Sequence, residues 1–160
     1  MLDTLFVGID VGKKQNVIRF TDSEGNTLSL FKATNNYDGA TKILDTLKHT
    51  ILHTDFRAVT IGMDSTSIYA NHLAVFLRND EFLKKWHVKV HVLNAKQVSK
   101  FKESYPELPK TDNIDTLIIA DYLRFGRIAK EVNLDEKYIA LRNLTRARFQ
   151  VSQNLSREKT

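Results

Sequence analysis

The chain has 160 residues, of which 42% are hydrophobic, and this is enough for one domain with a packed core. It carries 24 Lys and Arg residues against 19 Asp and Glu residues, so its formal net charge at pH 7 is +5. Cysteine is absent, which excludes disulfide scaffolds, cysteine-ligated zinc, iron–sulfur clusters and thiol nucleophiles. No apolar run approaches the roughly 20 residues that span a bilayer, so we expect a cytoplasmic protein with no membrane partner.

The first third of the chain is typical of three antiparallel strands followed by a helix. Apolar runs at Leu5–Asp10 and Asn16–Thr21 predict the first two strands. A third run, Thr27–Ala33, follows the polar turn at residues 22–26. From Tyr37 to His53 the apolar residues recur at helical spacing, which predicts an amphipathic helix.

Strands and helices alternate in the rest of the chain. The predicted elements are a strand at Arg57–Met63, a helix at Ile68–Arg78, a strand at Val88–Leu93, a short helix at Ala95–Lys102, an irregular loop at Glu103–Lys110, a helix at Thr111–Phe125 that Thr111 can cap, and a last helix from Tyr138 to Lys159. This order is compatible with the ribonuclease H-like fold, an α/β class with a mixed five-stranded sheet flanked by helices.

Two aspartates stand at the ends of predicted strands. Asp10 ends the first strand and Asp64 ends the strand that begins at Arg57. In the expected fold these strands are parallel neighbours, so both carboxylates emerge at one edge of the sheet. Each also has a structural interpretation, since Asp10 can cap the following turn and Asp64 can cap the helix that begins near Ser67.

Two further aspartates, Asp112 and Asp115, are three residues apart in the first turn of a predicted helix, which puts them on one face. Acidic residues there also complement the helix dipole, which is the structural alternative. Together with the strand-end aspartates they form four oxygen donors of the kind that Mg²⁺ prefers. Two such ions about 4 Å apart can activate the attacking oxygen and stabilise the leaving oxygen in phosphodiester chemistry.

Several motifs resemble the N-terminal domain of the DEDD transposases of the insertion-sequence 110 family, which includes the Piv-type DNA invertases. The Lys-Thr-Asp-x-x-Asp motif is the most specific of them. The matching segments are Val7–Lys13, Ile61–Tyr69, Val92–Val98 and Lys110–Thr116, with Ile119 and Ala120 after the last.

This resemblance implies a RuvC-like fold and a metal-binding Asp-Glu-Asp-Asp tetrad that holds Mg²⁺, with Mn²⁺ as a substitute. By position, Asp10 matches the first acid, Asp112 the third and Asp115 the fourth. Asp64 falls where the family has Glu, and its side chain is one methylene shorter. Ser67 stands where many members have Gly.

The resemblance also implies how the chain is organised and what it binds. Residues 1–130 would be the catalytic domain, and residues 131–160 would begin a helical linker toward a C-terminal domain that carries a catalytic serine. The expected function is Mg²⁺-dependent cleavage and transfer of DNA strands in the bacterial cytoplasm, although we expect this fragment alone not to recombine DNA. The implied partners are DNA, a structured guide RNA in some members, and further copies of the full-length protein.

Basic residues near the predicted site are candidates for nucleic-acid contacts. Lys13 and Lys14 follow Asp10, and Lys110 precedes Asp112; each can contact a phosphate or lie on an ordinary solvated surface. Arg142 and Arg146 lie on the last predicted helix, which can run along RNA or DNA or serve in dimerisation. Lys96, Lys100 and Lys102 have the same two interpretations as Lys110.

The histidines give no metal pattern. His87 and His91 share a face of the predicted strand at Val88–Leu93, but a third ligand is absent from that pattern and we predict a surface position for both.

Three other functions stay open on the sequence alone. A complete nuclease of the same fold, of the Holliday-junction resolvase type, would use the same four aspartates. An actin-like nucleotide-binding fragment would use Gly8, Asp10 and Gly12, but it needs further glycine-rich motifs and the chain has only 6 Gly. A non-catalytic nucleic-acid-binding module is supported only by the Glu-to-Asp difference at Asp64.

Overall fold

A computed structural model describes residues 4–64, 69–105, 112–126, 128 and 135–158, without the side chains of Asp112 and Glu136. The strands are β1 (Thr4–Val11), β2 (Gln15–Thr21), β3 (Thr27–Thr34), β4 (Ala58–Asp64) and β5 (Lys89–Leu93). The helices are α1 (Tyr37–Leu52), α2 (Tyr69–Asn79), α3 (Glu81–Lys85), α4 (Ala95–Lys102), α5 (Asp112–Arg124) and α6 (Glu136–Glu158). Among the helices of these ranges, none combines the length and apolar character needed to cross a membrane.

The five strands form one mixed sheet in the order β3-β2-β1-β4-β5. Strand β2 runs antiparallel to both β1 and β3, whereas β1, β4 and β5 run parallel. The predicted α/β class, with a mixed five-stranded ribonuclease H-like sheet flanked by helices, is therefore confirmed. The predicted parallel pairing of the strands that end at Asp10 and Asp64 is confirmed as well.

Side-chain caps fix where several helices begin. Asn36 accepts a hydrogen bond from the backbone N–H of Gly39 at the start of α1, and Asn94 accepts one from Lys96 at the start of α4. Asp80 does the same for α3, a short helix that the sequence analysis missed. Asp80 directly follows the last residue of α2, and an Asp at that position is a typical signal for the start of a new helix. The predicted cap Thr111 lies outside the described residues.

The alternation of side chains along β1 separates two layers. Leu5, Val7 and Ile9 point to a large core that includes buried residues of α1 and α2. Phe6 and Gly8 point to the other face, where α5 packs and where Phe6 joins a second apolar cluster. Both faces of the sheet are covered, so its central strands are apolar on both sides.

Helix α5 approaches β1 closely because Gly8 has no side chain. A Cβ atom placed on Gly8 would overlap the main-chain oxygen of Thr116 and lie 2.9 Å from the main-chain nitrogen of Ala120. At the neighbouring position in β4, a Cβ atom on Gly62 would lie 2.8 Å from Cδ1 of Leu123. The pair of glycines thus lets α5 lie directly on the two central strands.

One part of the sequence prediction is wrong at β5. The strand begins at Lys89, and His87 precedes it with a positive φ of 50°. His91 is only 9% exposed, although a surface position was predicted. It alternates with Val90 and Val92 and so lies on the face of the sheet that α4 and α5 cover. The alternation of Val88, Val90 and Val92 with Lys89 and His91 indicated one polar face, so the burial of the second face of β5 was missed.

Substitution of the two glycines should separate a main-chain contact from a side-chain contact. We expect Gly8→Ala to lower the free energy of unfolding by about 1–3 kcal/mol, because the α5 backbone must move away. Gly62→Ala should cost less, because the Leu123 side chain can change rotamer. Urea denaturation of both variants would measure this, and an equal or larger loss for Gly62→Ala would contradict it.

Candidate active site at the ends of the central strands

Asp10 and Asp64 lie side by side at one edge of the sheet. Strands β1 and β4 pair in parallel with Ile9 opposite Met63, so the next residues along each strand, the two aspartates, are also neighbours. Adjacent strands are about 4.8 Å apart, and laterally paired residues point to the same face. Both aspartates are partly buried. The structure therefore brings together the two carboxylates that the sequence placed at strand ends.

The first turn of α5 lies on the face of the sheet that bears these aspartates. Thr116 contacts Gly8, which is two residues before Asp10 and hence on the same face of β1. Asp115 directly precedes Thr116 and is partly buried. Helix α5 begins at Asp112, whose side chain lies outside the described residues. The structure thus puts the start of α5 and the strand-end aspartates in one layer.

Asp115 already has a cationic partner. Nζ of Lys102, in the last turn of α4, lies 2.5 Å from Oδ1 of Asp115. The two side chains are 29% and 45% exposed, so water reaches both. The lysine supplies positive charge to a carboxylate that the sequence analysis assigned to a metal. The sequence did not predict this contact, because the two residues are separated by a loop whose path the pattern does not give.

Within the described part of the chain, no group of three or more His, Asp or Glu side chains could hold a metal ion. The described carboxylates Asp10, Asp64 and Asp115 therefore do not make a complete metal site by themselves. The predicted quartet also needs the side chain of Asp112, so the four-ligand site stays a prediction.

Arg19 ties the first turn of α5 to the sheet. It lies opposite Gly8 in the pairing of β2 with β1. Its Nη2 donates to the carbonyl oxygen of Asn113 at 2.9 Å, and its Nε donates to Oγ1 of Thr116 at 3.3 Å. Nη1 donates to Oγ1 of Thr27 at 2.5 Å. The sequence analysis missed this role, although Arg19 is the only charged residue of β2.

A second polar group holds the end of the α4 region against α5. The hydroxyl of Tyr105 donates to Oδ2 of Asp121 at 2.7 Å, and Nε of Arg124 donates to Oδ1 of Asp121 at 3.1 Å. Burial and the hydrogen bond to Asp121 raise the pKa of Tyr105 to about 12. Burial also lowers the pKa of Arg19, and the carboxylate of Asp121 opposes that effect.

The predicted nucleic-acid contacts that the structure describes lie in two places. Lys13 and Lys14 are exposed in the turn after β1, next to the edge that carries Asp10. On α6, Arg146 is exposed and Arg142 is partly buried. Lys110 lies outside the described residues, as do residues 65–68 and 106–109 of the matched motifs and loop.

Comparison with known families shows to which family the chain belongs. Residues 7–160 match the model of the DEDD transposase family of insertion sequence 110, which is described as Transposase. The chain belongs to this family. The resemblance that the motifs indicated is therefore confirmed over nearly the whole sequence. No curated protein matches the transposase chain.

Three solved structures are similar to parts of the chain at low identity. RuvC from T. thermophilus, in complex with a Holliday junction substrate, is 14% identical over 79% of this chain and 97% of that chain, with a TM-score of 0.47. A ROK family glucokinase from Streptomyces griseus, in complex with glucose and AMPPNP, is 22% identical over 62% of this chain and 36% of that chain, with a TM-score of 0.39. The ethanolamine utilization protein EutJ from Carboxydothermus hydrogenoformans is 16% identical over 61% of this chain and 39% of that chain, with a TM-score of 0.36. The chain thus spans less than two fifths of the glucokinase and of EutJ.

The Tyr105–Asp121 contact predicts a specific pH dependence of stability. Unfolded tyrosine ionises near pH 10, whereas folded Tyr105 keeps its proton to about pH 12. In that interval the folded state binds more protons, so the free energy of unfolding falls as pH rises. Tyr105→Phe should be less stable than wild type by about 1 kcal/mol at neutral pH, because it loses the hydrogen bond. The difference should shrink between about pH 10 and 12 in urea denaturation, and parallel pH profiles would contradict the assignment.

Proposed function

We propose that residues 1–130 are the Mg²⁺-dependent catalytic domain of a DNA transposase that cleaves and transfers phosphodiester bonds. We propose that residues 131–160 begin a helical linker toward a C-terminal transposase domain. The observation that carries the proposal is the placement of Asp10 and Asp64 as neighbours, with the first turn of α5 on the same face. The family match supports DNA as the substrate.

The donor set fits a hard divalent cation. Asp10, Asp64, Asp112 and Asp115 offer only carboxylate oxygens, which suit Mg²⁺ or Mn²⁺. Lys102 places a positive charge next to one of these acids, Asp115. When bound, the metal would polarise the phosphodiester and activate the attacking oxygen. Asp64, being shorter than the glutamate of the family, would reach the ion by a backbone shift or through a water.

The other residues of the chain would bind and orient the substrate. Lys13 and Lys14 lie at the edge that carries Asp10, where they would contact phosphates without reading sequence. Arg142, Arg146 and Lys110 would extend this contact. Arg19 is a positioning residue, since its hydrogen bonds to Asn113 and Thr116 set the place of the α5 turn.

The full-length protein would act on DNA as a homo-oligomer, with a structured RNA as a further partner in target choice. These partners are proposed from the family to which the chain belongs. The net charge of +5 agrees with a polyanionic partner.

Metal binding should stabilise the fold through the predicted acids. At 100 times its dissociation constant, Mn²⁺ would add roughly 2.7 kcal/mol to the free energy of unfolding, which raises Tm by several degrees. Asp10→Asn should abolish this shift, because it removes a ligand and a negative charge. Differential scanning fluorimetry with and without Mn²⁺ would measure it.

The matched control for this experiment is Asp45→Asn, since Asp45 is exposed on α1, which packs on the opposite face of the sheet. It makes the same change in net charge and should keep the full Mn²⁺ shift. The proposed site would be contradicted if Mn²⁺ left the wild-type Tm unchanged, or if both variants lost the Mn²⁺-dependent Tm shift equally.

Lys102 should compete with the metal for Asp115. Partly exposed ion pairs are worth about 0.2–1 kcal/mol, so Lys102→Gln should tighten Mn²⁺ binding by about 1.4- to fivefold. Isothermal titration calorimetry would measure the change. Lys100→Gln, an exposed lysine of the same helix, is the control and should leave the affinity unchanged. Weaker binding in Lys102→Gln would show that the lysine assists the site and does not compete for it.

A further inference from the structure

A second concave site lies on the opposite face of the sheet from Asp10, next to the same edge. Its volume is about 290 Å³, and it is formed where β2 begins and α1 and α2 come together. Its walls combine amide and aromatic side chains: Asn16, Asn35, Asn36, Tyr37, Tyr69, His72 and Phe76, with Ala40 and Leu73. The volume is at the small end of the roughly 300–1,000 Å³ of ligand pockets, so it suits one small ring system.

A buried amide oxygen in the wall has no partner among the described residues. Asn16 is 1% exposed, and its Oδ1 has no hydrogen-bond partner within the ranges that the structure describes. A buried acceptor without a partner costs free energy, typically about 1–3 kcal/mol. Asn36 differs, since its Oδ1 accepts hydrogen bonds from Gly39 and from Thr34 to cap α1. Asn16 is therefore a buried amide that is available to accept an N–H group from a ligand.

Aromatic rings lie at the mouth of the pocket. Tyr37 is 73% exposed and packs edge-to-face on Phe76, with ring centroids 5.9 Å apart. Its outer face is thus open to solvent, where a second ring can stack on it. None of the described lining residues is Asp, Glu, Lys or Arg, so the walls suit an uncharged ring and not a phosphate.

The charged groups lie just outside the pocket. The side chain of Asn35 donates to the carbonyl oxygen of Gly12 at 2.9 Å, and its backbone N–H donates to that of Lys14, also at 2.9 Å. The pocket wall is thereby tied to the turn that carries the exposed Lys13 and Lys14. A chain whose phosphates contact those lysines would have its neighbouring uncharged rings within reach of the pocket.

We propose that this pocket binds one unpaired nucleobase of the nucleic acid, stacked on Tyr37 and donating an N–H group to Oδ1 of Asn16. Extruded bases are commonly held in this way, by stacking and by hydrogen bonds to their edges. The inference rests on the proposed function in one respect, namely that the domain binds nucleic acid at this edge.

The test compares two fluorescent 12-nucleotide strands of equal charge, oligo(dA) and the same backbone without bases. Fluorescence anisotropy at one fixed salt concentration would give both dissociation constants, since phosphate contacts alone depend strongly on salt. Wild type should bind oligo(dA) about fivefold or more tightly than the abasic strand. Tyr37→Ala and Asn16→Leu should each bring this ratio close to one.

A stability measurement and a control variant separate loss of base binding from loss of folding. Asn16→Leu removes an amide acceptor without a described partner, so its Tm should equal or exceed that of wild type. Tyr138→Ala, which removes a similarly exposed tyrosine from α6, should keep the wild-type ratio. If wild type binds both strands equally, or if the ratio survives in Tyr37→Ala and Asn16→Leu, the pocket is not a base site while the proposed function stands. If neither strand binds at all, both proposals fail.

Discussion

The close packing of α5 on β1 at Gly8 is the contact on which the rest of the arrangement depends. Because this position has no side chain, the backbone of α5 at Thr116 rests directly on the strand. The level at which α5 begins is therefore fixed relative to Asp10, two residues along β1. A bulkier residue at Gly8 would lift the helix and with it Asp115. The site is thus positioned by main-chain contact, which is stiffer than contact between long side chains.

Two cations beside this helix act in different ways because their chemistry differs. Arg19 is planar and makes hydrogen bonds to three separate groups, so its position is strongly determined. Lys102 is a point charge on a flexible stem and contacts Asp115 alone among the described acids. The arginine therefore suits a permanent structural tie between the sheet and α5. The lysine suits a partner that can leave when a metal or a phosphate arrives.

The edge of the sheet at the end of β1 has a distinct chemistry on each face. Carboxylates lie on the face covered by α5, and uncharged amides and aromatic rings lie on the face covered by α1 and α2. The exposed Lys13 and Lys14 stand in the turn between them. A nucleic acid offers phosphates, which need cations, and bases, which need stacking and amides. Under the proposed function, the lysines would therefore meet the phosphates, and the amides and aromatic rings would meet a base.

The sequence by itself determined the order of the strands and most helices along the chain, the family, and the residue types of the candidate site. Apolar periodicity and short motifs are local features, so they can be recognised without the fold. It did not predict that the second face of β5 was covered, so the burial of His91 was missed. It also did not predict the polar ties that Arg19 and Tyr105 make. Most of these contacts involve α5, which is distant from β1 and β2 in sequence and reaches them only through the fold. The pairing of Lys102 with Asp115 and the pocket around Asn16 were likewise decided by tertiary structure, since each joins elements that no local pattern connects.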